Sequence, residues 1–254
     1  MKRLLALTEA PSGLSTFRAD PTQEQTWQAF SDFERGAPKR ELGDALTLRQ
    51  RGLCCYCEIA LRPDETQIEH VVPRSDPKDG FALTLEPSNL LACCKGGTDR
   101  NFADDTRQPD PARYLPPVPE NLSCGQAKGD QQGTPLSDPR KLPAVPSPFV
   151  VRQHGGIEPD PGACTAAGVS IDDAKETIRI LGLDSQRLRN QRTKIWTELA
   201  KFPNEPSILV AAAAQNLRLQ ATGALLPWFT TRRSFFGPLS EALLARAPQD
   251  WIGA

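Results

Sequence analysis

Apolar positions recur at helical period through the second half of the chain and lose that regularity in its middle. In "SIDDAKETIRILGL", Ile171, Ala174, Ile178 and Leu181 fall on one face, which predicts an amphipathic helix. Ser170 and Asp173 read as a capping box at its start, and Gly182 as its stop. "SQRLRNQRTKIWTELAKF" predicts a second helix, and "PSILVAAAAQNLRLQATGALL" a third that ends near Pro227. Upstream, "ELGDALTLRQRG" sets Leu42, Leu46 and Arg49 at helical spacing before Gly52, and "QEQTWQAFSDFERG" suggests an earlier helix. Strand character is confined to "TQIEHVV", "NLLACC" and "SPFVVRQ". Residues 98–122, rich in Pro and Asp, read as an insertion loop, and 130–168 are again rich in Pro and Gly. The expectation is an α+β chain, mainly helical, with long Pro-rich loops. It divides into an N-terminal irregular or helical segment (1–40), a central core (41–150) and a helical C-terminal region (151–254).

Composition narrows the function classes. The chain has 254 residues, 39% of them hydrophobic and 24% charged, with 24 prolines, which is globular rather than disordered. No run approaches the ~18 apolar residues of a membrane span, so "ILVAAAA" is a packing face. The start, "MKRLLALTEAPSG", is too short in apolar residues for a secretion signal, and a cytoplasmic protein is expected. Net charge is -1, whereas a stand-alone nucleic-acid binder usually carries a basic excess. Contact with nucleic acid would therefore use local patches or a partner's surface. Between Arg187 and Lys201 the second helix carries five basic residues against one acid, Glu198. The plain reading is a solvated face, and the sharper one a phosphate or partner contact. The aromatics Trp228, Phe229, Phe235 and Phe236 suit a core or a partner interface better than a base-stacking platform.

Seven cysteines in a reducing compartment read as metal ligands or buried thiols rather than disulfides. Cys54 and Cys57 form a C-x-x-C knuckle, which alone is a moderate signal. A redox pair would open a helix after a strand, and here that order is reversed. Cys93, Cys94 and Cys124 supply a second set, or are ordinary buried thiols. Tetrahedral zinc needs four ligands, and Cys54, Cys57, Cys94 and Cys124 complete a four-cysteine site, leaving Cys55, Cys93 and Cys164 spare. Only two histidines occur. His154, in "VRQHGGIEPD", reads as a surface-loop residue, and His70 alone would read as structural.

His70 is not alone. The composite of C-x-x-C, Glu-His-x-x-Pro, Asn-Leu-Leu-x-x-Cys and Cys-x-x-x-Lys, in "LCCYCEIAL", "QIEHVVPRS", "NLLACCKGG" and "SCGQAKGD", resembles the HNH nuclease superfamily. With "PLSDPRKLP" and the helix pair near "AKETIRILGLDSQRLRNQR", the likeness covers roughly residues 40–200. Within that superfamily it resembles the PtuB-type nuclease subunit of Septu anti-phage systems and the retron-associated HNH proteins.

The resemblance implies a small ββα-metal core braced by a structural zinc knuckle. It implies His70 as general base for phosphodiester hydrolysis, and Glu69 as ligand of a catalytic Mg2+ or Mn2+. Asn89 would hold the His70 ring or reach the metal. Lys128 and Arg74 would sit on substrate phosphates. The substrate would be DNA, with RNA, including tRNA, as the other option, and the partner an ABC/SMC-like ATPase subunit of the PtuA type. That interface would fall on the helices after Ser170 and on the aromatic segment 228–236. Many HNH enzymes carry a metal-binding histidine directly after the last zinc cysteine, where this chain has Gly125. The second metal ligand is therefore open, with Asn89, Gln126 and Asp130 as candidates. The competing reading is a zinc module that binds nucleic acid or protein without catalysis.

Overall fold

Three N-terminal helices cover one face of a two-stranded sheet, and the cysteine knuckle closes the other side. The computed structural model describes residues 1–98 and 119–252, so positions 99–118 of the expected insertion loop lie outside the described residues. In chain order the elements are α1 (Ser12–Ala19), α2 (Trp27–Asp32), α3 (Ala37–Arg49), β1 (Thr66–His70), α4 (Gly80–Leu83), β2 (Leu90–Cys94), α5 (Cys124–Lys128), β3 (Phe149–Val151) and β4 (Ile157–Pro159). The helices α6 (Pro161–Ala166), α7 (Ile171–Ile180), α8 (Gln186–Leu199), α9 (Pro206–Leu217), α10 (Phe229–Phe236), α11 (Pro238–Arg246) and α12 (Pro248–Ile252) follow. Helix and strand together make a mixed α+β chain.

The chain turns sharply before α3. Glu34, Arg35 and Gly36 take left-handed φ values of 47°, 57° and 75°. Only glycine adopts that conformation freely, so two of the three residues are strained. Helix α3 then starts at Ala37, ahead of the pattern that begins at Glu41, because Pro38 is tolerated in a first turn. Leu42 and Leu46 on α3 meet Leu14 and Phe17 of α1, Phe30 of α2, and Leu90 and Ala92 of β2 in one buried cluster.

Strands β1 and β2 pair antiparallel, with Glu69 opposite Leu91 and His70 opposite Leu90. Successive strand residues face opposite sides. Glu69 and His70 therefore reach different environments from one strand. Buried Gln50 ties the knuckle to this sheet. Its Nε2 donates to the Leu53 and Ala92 carbonyls at 2.9 and 2.7 Å, and its Oε1 accepts from the Ala92 N–H at 2.7 Å.

The cysteines share their cluster with Leu181, Leu183, Leu188 and Trp228, so the C-terminal helices pack directly on the knuckle. Ser170 caps α7 as expected, with the Asp173 N–H donating to Ser170 Oγ at 3.1 Å. The N-terminal segment enters the same core, where the Met1 amino group donates to Thr230 Oγ1 at 2.8 Å and lies 3.4 Å from Glu58.

Three expectations are corrected. Helix α9 ends at Leu217, not near Pro227. A turn at Gln220–Gly223 follows, and the Leu225 N–H donates to the Arg51 carbonyl at 3.0 Å, so tertiary anchoring overrides the apolar pattern. The basic run on α8 is not one solvated face. Arg187 and Arg192 are buried, bonding Ser123 Oγ at 2.6 Å and the Leu183 carbonyl at 2.7 Å, and Arg189 pairs with Asp184. The 228–236 aromatics are not a free face for a partner. Trp228, Phe229 and Phe236 are buried, and Phe229 stacks on Trp251 at 5.7 Å. His154 is exposed on the turn between β3 and β4.

Candidate active site and metal centre

The four cysteines proposed as ligands converge. Cys54 and Cys57 lie in the knuckle turn, closed by the Cys54 N–H to Ile59 carbonyl bond at 2.9 Å. Cys94 ends β2. Cys124 opens α5, and its N–H donates to the Leu181 carbonyl at 2.7 Å, so the helix-end at 181 sets its position. The Sγ separations are 3.8 Å for Cys54–Cys124, 3.7 Å for Cys57–Cys94 and 3.7 Å for Cys94–Cys124. All four ligand atoms lie within 4.8 Å of one another. A tetrahedron with Zn–S bonds of about 2.3 Å has S–S edges of about 3.8 Å, so this set fits zinc. A second grouping joins Cys54 with Cys55 and Cys93. It supplies only three sulfurs, and two of them sit next to each other in the chain.

Charge sharing among the sulfurs agrees. Hydrogen bonding from Cys124 holds the Cys94 thiol down, at about 5. Burial pushes Cys54 up, but bonds from Cys124 and its other sulfur neighbours outweigh that and hold it well below the usual thiol range. Cys57 and Cys124 are pushed well above it, Cys57 first by its bond with Cys124 and Cys124 first by burial. Buried thiolates at these separations repel, so only some ionise unless a cation joins them. A divalent ion would let all four do so.

Beside this centre a cleft of about 200 Å3 is lined by Gln67, Glu69, His70, Arg74, Gly125 and Lys128 among others. His70 Nε2 lies 3.0 Å from the Thr84 carbonyl. A carbonyl only accepts, so Nε2 carries the proton and Nδ1 is the basic nitrogen. Trp27 meets the ring edge-on at 4.6 Å. Burial lowers the His70 pKa to about 4. The Thr84 bond opposes this, while the charges of Arg74 and Lys128 add to it. The imidazole is therefore neutral at pH 7, the state a general base requires.

Glu69 turns to the other side of β1. Its Oε1 lies 3.0 Å from Lys128 Nζ and accepts from Tyr56 Oη at 3.3 Å. Burial raises its pKa, with Lys128 acting against that rise. Lys128 is only 2% exposed and also donates to the His70 carbonyl at 2.9 Å. Two of its three donors thus serve the protein itself. Arg74 is exposed on the cleft rim.

Asn89 does not bond the His70 ring. Its Oδ1 accepts from the Val72 N–H at 2.8 Å, and its Nδ2 donates to the Val72 and Leu83 carbonyls at 3.1 Å. It clamps the loop that delivers Thr84, one residue beyond Leu83, and so acts on His70 at one remove. Gln126 Nε2 donates to Gln67 Oε1 at 2.8 Å across the cleft wall. Asp130 is exposed at the cleft rim. Motif reading misses Thr84, Trp27 and Tyr56. Thr84 acts through a backbone carbonyl, which carries no residue signature.

No protein-family model matches the chain. A candidate HNH endonuclease of retron Ec83 from Escherichia coli is 30% identical over 241 residues, covering 86% of this chain and 85% of that protein. The chain belongs to the retron HNH endonuclease family. A second relative, a candidate HNH endonuclease of retron Vc95 from Vibrio cholerae serotype O1 biovar El Tor, is 27% identical over 193 residues, or 75% of this chain and 80% of that protein.

The divalent ion implied for an HNH endonuclease can be tested against the cleft. Glu69 is one carboxylate, and Lys128 already holds it. Gly125 offers no side chain. Among the described residues, the groupings of three or more potential ligand atoms are the two cysteine sets. Lys128 and Tyr56 take Glu69 Oε1, so a Mg2+ or Mn2+ ion here would be held by Glu69 Oε2 and completed by water and substrate phosphate oxygens.

Proposed function

We propose that this chain is an endonuclease that hydrolyses phosphodiester bonds in retron-type anti-phage defence, with His70 as general base. The observation that carries the reading is the bond from His70 Nε2 to the Thr84 carbonyl, in a ring lining the cleft. That bond orients the imidazole and leaves Nδ1 to take a proton. In the reaction, a water oxygen bonds to phosphorus while its proton passes to Nδ1. The P–O ester bond breaks, and the leaving oxygen takes a proton from solvent. Arg74 at the rim supplies positive potential as charge grows on the phosphoryl oxygens, whereas Lys128, expected on a phosphate, is taken up by Glu69 and the His70 carbonyl. Zinc at the four cysteines is structural and braces the strand of His70 against α5.

DNA is the first substrate to test and RNA, including tRNA, the second, because the cleft meets a phosphodiester before it meets a base. The likeness to Septu PtuB supports an ABC/SMC-type ATPase subunit, PtuA-like, as partner. Near-neutral net charge supports delivery to nucleic acid by such a partner. The cytoplasm suits this role, since it keeps zinc-binding thiols reduced.

One observation favours a second reading, a zinc module that binds nucleic acid without cutting it. Gly125 leaves the cleft without a second metal ligand, and Lys128 neutralises the first. A single comparison separates the two. Nicking of plasmid, linear DNA and tRNA is measured for wild type and His70→Ala, with and without Mg2+ and the ATPase partner. Cleavage by wild type that is lost in His70→Ala supports the enzyme. Identical behaviour of the two proteins under every condition leaves only the binding module.

A further inference from the structure

A second depression adjoins the cleft. It has a volume of about 460 Å3 and lies between the start of α3 and β1. Arg35, Lys39 and Arg40 line it, against one acid, Asp44. Gln67 and Ile68 of β1 line both this groove and the His70 cleft, so the two share a wall.

Backbone strain shapes the groove. The left-handed turn at Glu34 and Arg35 is costly for residues with a Cβ, on the order of 1 kcal/mol each. That turn places Arg35 at the groove mouth. Arg40 Nη1 donates to the Arg35 carbonyl at 3.1 Å and holds the turn from the next helix. Lys39 Nζ sits 5.6 Å from the Trp27 ring centroid, and that same ring packs on His70. The basic groove and the candidate base are thus joined through one aromatic side chain. In a chain of net charge -1, three cations against one acid make a local field that the whole molecule lacks.

We infer that this groove holds the phosphate backbone of a single polynucleotide strand and feeds it past Gln67 and Ile68 to His70. Three cations in a row recognise phosphates without reading bases. The groove walls are mixed polar and apolar, which suits a strand whose sugars and bases also touch protein. This deepens the proposed nuclease reading and rests on nucleic acid being the ligand, though not on its being cut.

The test is therefore made on full-length protein carrying His70→Ala, so that binding is read apart from cleavage. Fluorescence anisotropy is measured with labelled single-stranded DNA, duplex DNA and structured RNA across a salt series. Against this background, the R35E, K39E and R40E substitutions together are expected to weaken binding at least about tenfold. They should also reduce the slope of log K against log salt by about 2 to 3, one counterion per lost contact. Zinc content should not change. Because R40E removes the bond to the Arg35 carbonyl and K39E the contact with Trp27, R35E alone, which removes neither, is measured beside the triple variant and should itself weaken binding. K175E with R179E and K201E, three exposed cations on α7 and just beyond α8, serves as the charge-matched control. The inference is overturned if the control weakens binding as much as the groove variant. Unchanged affinity and slope in the groove variant, or no binding by the parent protein to any of the three ligands, overturns it as well. A nuclease that fails to cut but binds through the groove would sink the catalytic reading alone. Single-stranded DNA or RNA should bind tighter than the duplex, and a preference for duplex DNA overturns the single-strand assignment.

Discussion

The carboxylate of Glu69 occupies the space beside Gly125. A Cβ at position 125 would collide with Glu69 Oε2, and Glu69 cannot swing away without leaving Lys128 and Tyr56. Glycine is thus a steric requirement of this Glu69–Lys128 arrangement. Gly125→Ala is expected to lower stability by about 1–3 kcal/mol, the usual cost of overpacking a close-packed site. Urea unfolding of the two proteins checks it, and equal midpoints would refute the collision.

The ion pair between Glu69 and Lys128 is nearly enclosed, with side-chain exposures of 10% and 2%. Removing one partner leaves the other charged and buried, which typically costs about 3–5 kcal/mol. Lys128→Met alone should be strongly destabilising, and adding Glu69→Gln should recover part of the loss. A double-mutant cycle of unfolding free energies would show this coupling. Purely additive effects would show that the pair does not act as a unit.

His70 gives the protein a defined pH dependence. Its folded pKa of about 4 lies below the ordinary value of 6.5. Between those values the unfolded chain binds a proton that the native state refuses. Stability is therefore full above pH 6.5 and falls as pH drops toward 4. From pH 7 to pH 5 the loss is about 2 kcal/mol by linkage. Urea titrations at the two pH values should show that loss in wild type and not in His70→Gln.

The cysteine set predicts one zinc per chain. Cys57→Ser and Cys124→Ser should lose the metal, whereas Cys55→Ser and Cys164→Ser, outside the four-sulfur group, should keep it. Elemental analysis of purified proteins decides this. Chelation should destabilise the wild type by several kcal/mol, since metal binding and folding are coupled. Zinc retained in Cys124→Ser would move the site to another grouping.

Asn89 should act as a positioning residue. Asn89→Ala frees two loop carbonyls and one N–H, costing about 1–3 kcal/mol for the groups left unpaired. If the protein cuts, kcat should fall more than KM rises, because the His70 ring loses its fixed carbonyl. A change in KM alone would place Asn89 in substrate binding.

Much of the site is legible in residue type and spacing. Cys54 and Cys57, the Glu69–His70 pair on a strand, and the second cysteine set all follow from them. So do strand β2, helix α3 and the capped start of α7. What escapes such reading acts through shape or backbone. Thr84 contributes a carbonyl, Gln50 a clamp between the knuckle and β2, and Trp27 a ring at the start of α2 that meets His70 only in the folded chain. The basic residues of α8 mislead for the same reason. A guanidinium on an amphipathic helix looks solvated until buried carbonyls and hydroxyls, here those of Leu183 and Ser123, are seen to meet it.

By itself the amino-acid sequence determined the ligand types, the candidate base and the helical character of the C-terminal half, because these depend on local pattern and chemistry. Only the tertiary structure decided which four sulfurs share one centre, since Cys124 reaches Cys54 from 70 positions away on the strength of the Leu181 carbonyl. It also decided that Lys128 neutralises Glu69 and that Gly125 must stay bare. Those outcomes follow from which buried groups lie in direct contact, and separation along the chain does not encode that distance.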